Sequence, residues 1–490
     1  MKLSFLHEPE LEFGNGGTHV DIRHGLMRYG PLDLGETSAP SQLKVGLVGT
    51  EETIAAIRQW FDHCRGGIAA KESKLSNLFP PFPGFSESSS FHASLAFHER
   101  WCSPIRQREV DAVLAQAEGD QAVREAVGIF LDHAETLIEK GGPEVLICAP
   151  PKDLLAAVDG QPGERADPSD QEIDEGSEAS TRASVLAFHD VLKAEAMRLG
   201  VPIQMVRPST YTGVRNRKKS KRKTATSIPL QDEATRAWNI HTALYYKAGG
   251  VPWRLLRSAT DLTACFVGVS FYRSIQGDRL LTSVAQVFNE RGEGVIVKGA
   301  QAELDKDDRQ PHLSEDDARS LLKHAIDVYR REHRTSPARL VVHKTSKMTD
   351  HEIRGFRAAA DEHQIDVADL VSVKRSLTRL FRDGTYPPLR GTYLTLQEST
   401  GLLYLRGSVN FFETYPGMYV PRPLEFSAAH AETPLEQLAC EMLSLSKLNW
   451  NNTQFDGGEP ITVRAARRVG DILKCVPEGG AVQPSFRFYM

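Results

Sequence analysis

LKVGLVGTEETIAAIRQWFDHC, residues 43–64, changes its pattern halfway. Residues 43–49 form an apolar run of strand length, and from Glu51 to about Cys64 the apolar positions recur with a helical period. A strand that feeds directly into a helix is half of a βαβ unit. The rest follows downstream. A long helix is predicted at about 105–140, then the apolar strand VLICAPP at 145–151. A further helix at 181–199 precedes the strand VPIQMVRP at 201–208, and another spans about 231–247. Strands alternating with helices in this way predict a parallel sheet covered by helices. Between the units, FPPFPGF at 79–85 is read as a loop, because its prolines suit neither a helix nor a central strand.

Outward from this core, LEFGNGG at 11–17 and RYGPLDLG at 28–35 read as short strands and turns. Residues 159–180, DGQPGERADPSDQEIDEGSEAS, are acidic and rich in Gly, Pro and Ser, and read as an exposed loop. A second unit begins after GGVPW, with the boundary near 255–260. It opens with the strand CFVGVSFYR at 265–273 and two more strand candidates at 279–298. A helix at 314–333 follows, then the buried strand LVVHKTS at 340–346 and the helix DHEIRGFRAAADEH at 350–363. Further strands are expected at 365–373 and 391–411, and helices at about 434–447 and 461–474. This describes a mixed sheet with helices on its faces, so the fold class is α/β throughout.

The 490-residue length predicts two to four domains. Apolar content of 40% and charged content of 25% are those of a globular protein. A net charge of −5 means that any nucleic-acid surface must be local. Cysteines 64, 102, 148, 265, 440 and 475 form no CxxC pair, which fits reduced thiols better than zinc or a disulfide framework. The N-terminal MKLSFLHEPELEFG lacks a signal-peptide run, and no window approaches 18 apolar residues. The expected location is cytoplasmic.

Three constellations carry chemistry. His189 and Lys193, in FHDVLK, stand at i and i+4 on one helix face. Turned inward they make an anion site; turned outward they are a solvated face. RNRKKSKRK at 215–223 packs seven Lys or Arg into nine residues, Arg215, Arg217, Lys218, Lys219, Lys221, Arg222 and Lys223. A polyanion backbone suits it, since neutralising phosphates releases counterions, and a solvated loop is the plain alternative. LQDEATRAWNIHTALYYKAGGVPW at 230–253 puts Asn239, Tyr246 and Lys247 on a helix ending at Gly249. Its aromatics, Trp238, Tyr245 and Tyr246, read as core or as a base-stacking platform.

QDEATRAWNIHTALYYKAGGVPW resembles the segment of Argonaute MID domains that holds the guide's 5′-phosphate. The family pattern of a His or aromatic, a Lys four residues on, a Gln, an Asn and a Lys before Gly-Gly falls on His189, Lys193, Gln204, Asn239 and Lys247. GTYLTLQESTGLLYLRG, FFETYPGMYVPRPLEF and LSKLNWNNTQFDGGEPITVRAARRVG resemble the PIWI domain, and EPELEFGNGG with GLMRYGPLDLG resembles the lead-in to MID. The resemblance implies a lead-in segment at 1–36, a Rossmann-like MID domain at 37–258 and a ribonuclease H-like PIWI domain at 259–490. This length leaves no space for N and PAZ domains, so the resemblance is to short prokaryotic Argonautes. It also implies that the C-terminal carboxylate, on Met490 after the apolar PSFRFYM, helps hold a Mg²⁺ on the guide phosphate.

Active PIWI domains hold two Mg²⁺ ions on three Asp, or two Asp and a His, with a mobile Glu. At the first of these positions this chain has Ser270, in Val267-Gly268-Val269-Ser270. At the second it has Lys344, in His343-Lys344-Thr345, and no Asp or His stands between Glu459 and Asp471. A lysine ammonium would repel the ions it replaces. The expectation is therefore a protein without catalytic activity of its own. It would be the guide-binding sensor of a defence system, loaded with a 5′-phosphorylated guide, taken as RNA, that recognises complementary single-stranded DNA of plasmids or phage. The resemblance implies a heterodimer with an APAZ-containing effector of TIR, sirtuin-type or nuclease class, whose activation causes abortive infection. Two other readings stay open: an active guide-directed nuclease, and a general single-strand binder indifferent to the guide's end.

Overall fold

Two sheets, each built by the alternation read above, organise the chain. The computed structural model describes residues 1–116, 119–139, 141–158, 186–213, 230–256, 262–287, 294–304, 309–381, 387–417, 420–454, 457–477 and 479–490. The acidic stretch 159–180 and the basic run 215–223 lie outside these residues.

In chain order the elements are β1 (Lys2–Phe5), α1 (Ile22–Tyr29), β2 (Gln42–Thr50), α2 (Glu51–Arg65), β3 (Ser94–Ala96), β4 (Cys102–Ile105), α3 (Gln107–Gln116), α4 (Gly119–Glu139) and β5 (Val145–Ala149). Then come α5 (Phe188–Ala196), β6 (Ile203–Met205), α6 (Glu233–Lys247), β7 (Ala264–Arg273), β8 (Leu280–Val287), β9 (Gly294–Gln301) and α7 (Glu315–His333). The last are β10 (Arg339–Lys344), α8 (Asp350–Glu362), β11 (Val367–Arg375), β12 (Thr392–Gln397), β13 (Thr400–Leu403), β14 (Leu424–His430), α9 (Leu435–Leu445) and α10 (Ile461–Leu473).

The first sheet is all parallel. β2 pairs with β3, β4 and β5, and β5 pairs with β6. Its strands are buried apolar runs, as expected when helices cover both faces. At the β2–α2 turn Thr50 caps the helix by accepting from Thr53 N at 3.3 Å, and Glu51 and Glu52 favour the positive helix end. Gly49 is required there, because a Cβ would stand 2.7 Å from Ala149 O.

The second sheet has nine strands in the order β1-β12-β13-β14-β11-β10-β7-β8-β9. β7, β10 and β11 are parallel; β8 and β9 continue antiparallel from β7, and β14, β13, β12 and β1 from β11. α7 and α8 pack on one face of this sheet, over a core of Val267, Val269, Leu322, Ile326 and Phe356. α10 lies so close to the other side of β7 that a Cβ on Gly268 would meet Thr462 O at 2.1 Å. α10 also joins the first lobe, since Ala465, Val469 and Ile472 belong to the same core as Val191, Phe188 and Tyr245.

Four expectations needed correction. The stretch 22–29 is a helix, capped by Asp21; it takes in Arg28 and Tyr29, at the start of the stretch read as strand and turn, and no helix was expected there. The helix read at 105–140 is two, and Gly119 stands at φ +58 at the start of the second. The described part of the helix read at 181–199 begins at Phe188, with a final 3-10 turn at Met197–Leu199. The strand read at 391–411 is the β12–β13 hairpin. The lead-in segment also contributes to the second sheet, where β1 is its edge strand.

Candidate nucleic-acid interface

α5, β6 and α6 carry the five residues expected to hold an anion, His189, Lys193, Gln204, Asn239 and Lys247. α6 is capped at its start by Asp232, which accepts from Thr235 N at 3.1 Å. It ends at Gly249 with φ +102, a backbone that favours glycine. That stop places Lys247 in the last turn, where a cation complements the helix dipole. Lys247 is 1% exposed and donates from Nζ to Gln204 Oε1 at 2.8 Å. Lys193 is 4% exposed on α5. Two lysines held this far from water suit a partner with negative charge.

His189 lies beside Asp190 and Arg468. Its Nδ1 is 2.9 Å from Asp190 Oδ1 and 2.6 Å from Arg468 Nη2. Arg468 Nη2 also reaches Asp190 Oδ1 at 2.9 Å. Burial, with Arg468 and Lys193 nearby, pushes the imidazole down to about 3, so it is neutral. Burial works against ionisation of Asp190, but the positive charges of Arg468 and Lys474 beside it help hold the carboxyl well below its usual range.

Asn239 is placed differently from the expectation. Its Nδ2 donates to Gln231 Oε1 at 3.1 Å, and its Oδ1 accepts from Thr453 N at 3.0 Å and Thr453 Oγ1 at 3.1 Å. It ties α6 to the segment between α9 and α10. Tyr246 stacks on Trp450 at 5.0 Å in the same seam, and Trp238 and Tyr245 are fully buried. The aromatics of α6 are core, not a stacking platform.

The C-terminal tail packs against the same helix. Arg487 Nη1 would stand 3.7 Å from a Cβ on Gly249, and Tyr489 and Met490 are buried in the shared core. The seven basic residues at 215–223 fall outside the described residues.

Of the two residues read at the expected carboxylate positions, Ser270 is buried on β7, and Lys344 is wholly buried at the end of β10. Lys344 Nζ lies 3.0 Å from Glu352 Oε1, and donates to Ser346 Oγ at 2.5 Å and Lys347 O at 2.9 Å. Glu352 is also wholly buried; it accepts from Leu313 N at 2.8 Å and closes a capping box with Thr349. Among the described residues no group of three or more His, Cys, Asp or Glu is placed to hold a metal. None of their helices is long and apolar enough to cross a membrane.

Sequence reading missed Arg468, Asp190 and Glu352. Glu352 had a readable signal, Thr349-x-x-Glu352 before an apolar period. Arg468 had none, because a basic residue on an amphipathic helix reads as solvated.

A parallel, helix-covered sheet joined to a ribonuclease H-like sheet is the architecture of the MID and PIWI halves of Argonaute structures. The chain aligns over 98% of its length, with a TM-score of 0.63 and 15% identity, with Clostridium butyricum Argonaute bound to a guide DNA and a 19-mer target DNA. It aligns over 100%, with a TM-score of 0.59 and 15% identity, with Aa-Ago carrying externally bound siRNA. In sequence, 218 residues, 44% of the chain, are 21% identical to a protein named Protein argonaute from Aquifex aeolicus strain VF5. The chain covers 28% of that relative, and 54% and 56% of the two solved structures. No protein-family model matches it.

Proposed function

We propose that this chain holds the 5′-phosphate of a nucleic-acid guide, taken as RNA, between α5, β6 and α6, and uses the guide to recognise complementary single-stranded DNA. The observation that carries the reading is the junction of Lys247 with Gln204, 43 residues apart in sequence, in a fold shared with guide-bound Argonaute. Lys193 supplies a second cation and His189 a directional hydrogen bond. The basic run 215–223 would follow the guide backbone. A carboxylate at Met490, in the tail beside α6, fits a Mg²⁺ held mainly by guide phosphates, since Mg²⁺ takes oxygen ligands and commonly few carboxylates. Bound there, the ion would offset phosphate charge.

The same reading has the chain leave its target uncut. Lys344 is engaged by Glu352, its place in the sequence reading is that of a metal-binding Asp, and Ser270 offers no charge. The chain would be the sensor half of a defence system, with an APAZ-containing partner supplying an NAD-consuming or nuclease effector and abortive infection as the outcome.

The test is binding of guides that differ only in the 5′-phosphate, to the protein and to its Lys193→Ala/Lys247→Ala variant. Each charge-assisted bond is worth about 1.5–3 kcal/mol, so the double variant should lose guide loading. Equal affinity for 5′-phosphate and 5′-hydroxyl guides would identify a general single-strand binder instead.

A further inference from the structure

The contacts of His189 constrain where its proton sits. A guanidinium can only donate and a carboxylate can only accept, whereas a neutral imidazole does one at each nitrogen. Arg468 Nη2 stands 2.6 Å from His189 Nδ1 and 2.9 Å from Asp190 Oδ1. With a proton on Nδ1, two N–H donors would face each other at 2.6 Å. With Nδ1 bare, both donors of the Arg468 NH₂ group are used, one on the ring and one on Asp190. The Nδ1–Oδ1 approach of 2.9 Å is then two lone pairs sharing one cation. The ring proton goes to Nε2, which has no protein partner among the described residues, and the side chain keeps 15% exposure.

We infer that Arg468 is a positioning residue for the anion pocket: it fixes His189 as the Nε2–H tautomer, so that the ring presents a donor to the terminal phosphate of the guide. The inference rests on the pocket reading above. The other tautomer would aim a lone pair at the phosphate and weaken binding. Arg468 belongs to α10, whereas His189 belongs to α5. The pocket therefore gains its donor only when α10 is docked on the first lobe.

The charged groups around the ring set its pH response. Asp190 and Lys193 come from α5 itself, Arg468 from α10, and Lys474, just past α10, faces Asp190. Arg124 of α4 faces Glu195. In the native protein burial first, and then the Arg468 and Lys193 charges, oppose protonation of the ring, and it stays neutral. Without Arg468, the ring proton moves to Nδ1, which donates a hydrogen bond to Asp190 at alkaline pH. As pH falls, the ring becomes cationic on Asp190, and Nε2 donates again.

The test uses the full chain with ring-¹⁵N histidine, His189 being assigned by loss of its signals in His189→Gln. The native protein should show the Nε2–H form across neutral and mildly alkaline pH and a flat preference for 5′-phosphate over 5′-hydroxyl guides. Arg468→Lys, still a cationic donor, should keep both. Arg468→Met should switch the ring to Nδ1–H at alkaline pH and reduce the phosphate preference about tenfold, the loss of one hydrogen bond, with recovery only once acidification protonates the ring. An Nδ1–H ring in the native protein overturns the inference whatever the variants do. So does an Arg468→Met variant with a native melting curve, an unchanged ring and an unchanged preference. If native protein shows no preference for the phosphate, the pocket reading fails, and the donor role with it; the spectrum alone then reports what Arg468 does to the ring.

Discussion

Lys344 and Glu352 are both 0% exposed and 3.0 Å apart, so neither charge is tolerable without the other. Lys344→Met should cost about 3–5 kcal/mol, because it strands a buried carboxylate. Adding Glu352→Gln removes the stranded charge but leaves one acceptor oxygen for the two N–H groups of Leu313 and Thr349, so the double variant should regain only part of that loss. Denaturant melts of the native protein, Lys344→Met, Glu352→Gln and the double variant measure this; additive losses would mean the pair is not coupled. Lys344→Asp would place two carboxylates together, so that substitution too should destabilise. Histidines set the acid limit. Burial drives His241 and His343 down to about 4 and, with Arg468 and Lys193, His189 down to about 3. A lowered folded pKa gives stability that is complete above the unfolded value of 6.5 and is lost as pH falls through the folded value. Melting temperature should therefore drop between about pH 6.5 and 4, each ring contributing on the order of 3 kcal/mol. His241 sits 4.8 Å from the rings of Phe82 and Phe85, so His241→Leu should flatten the acid limb; a limb parallel to native would remove His241 from the account.

Elements that repeat one pattern were legible. β2 with α2, β5, α6 and β10 appear within a few residues of the expected places, because apolar period and cap residues agree there. α1 was hidden by the glycines around it, and its signal, Asp21 as N-cap, lies among turn-like residues. The β12–β13 hairpin was read as one strand, since Glu398 and Ser399 are an inconspicuous turn. The pocket was half legible. The family resemblance pointed to Lys193, Gln204 and Lys247, of which the structure joins Lys247 to Gln204, but the partners from α10 and the tail are remote in sequence and have no local pattern. The tail makes this concrete. Ile296 N donates to Pro484 O at 2.7 Å, and Val295 bridges Ser485, so the tail covers the outer edge of β9. Phe486, Tyr489 and Met490 also fill the core shared by α6 and α10. Removing residues 484–490 should open a strand edge and a cavity together, with a lower melting temperature, aggregation and weaker guide loading. Light scattering and a guide-binding isotherm read these separately. Native melting and native guide affinity in the truncated chain would show that the tail supports neither.

At the scale of the molecule, the two lobes meet along one seam. Asn239 accepts from Thr453, Trp450 donates to Trp253 O at 3.2 Å, Trp253 donates to Lys447 O at 3.2 Å, and Lys447 Nζ lies 3.1 Å from Glu8. Arg468 closes the seam at the pocket. Only differential contacts shift an equilibrium, so a sensor must bind something that changes when target pairs. A guide–target duplex of about 20 base pairs is held along its backbone by a positive channel. Of the basic groups in this chain, the densest run is at 215–223, and the whole carries −5. The proposed APAZ partner would complete the channel and carry the effector. Exposed apolar side chains are available to such a partner, Leu377 at 87% and Phe381 at 79% exposure. The measurement is to co-express the chain with the product of its neighbouring reading frame, purify the complex, load a 5′-phosphorylated guide, and add matched or scrambled single-stranded DNA. NAD loss or nucleic-acid degradation should follow the matched DNA alone, with the target itself left intact in Mg²⁺ or Mn²⁺. Guide-directed cuts at one fixed position would make the chain a nuclease. An effector indifferent to target sequence, or a chain that discriminates targets alone as a stable monomer, would leave no place for a sensor half.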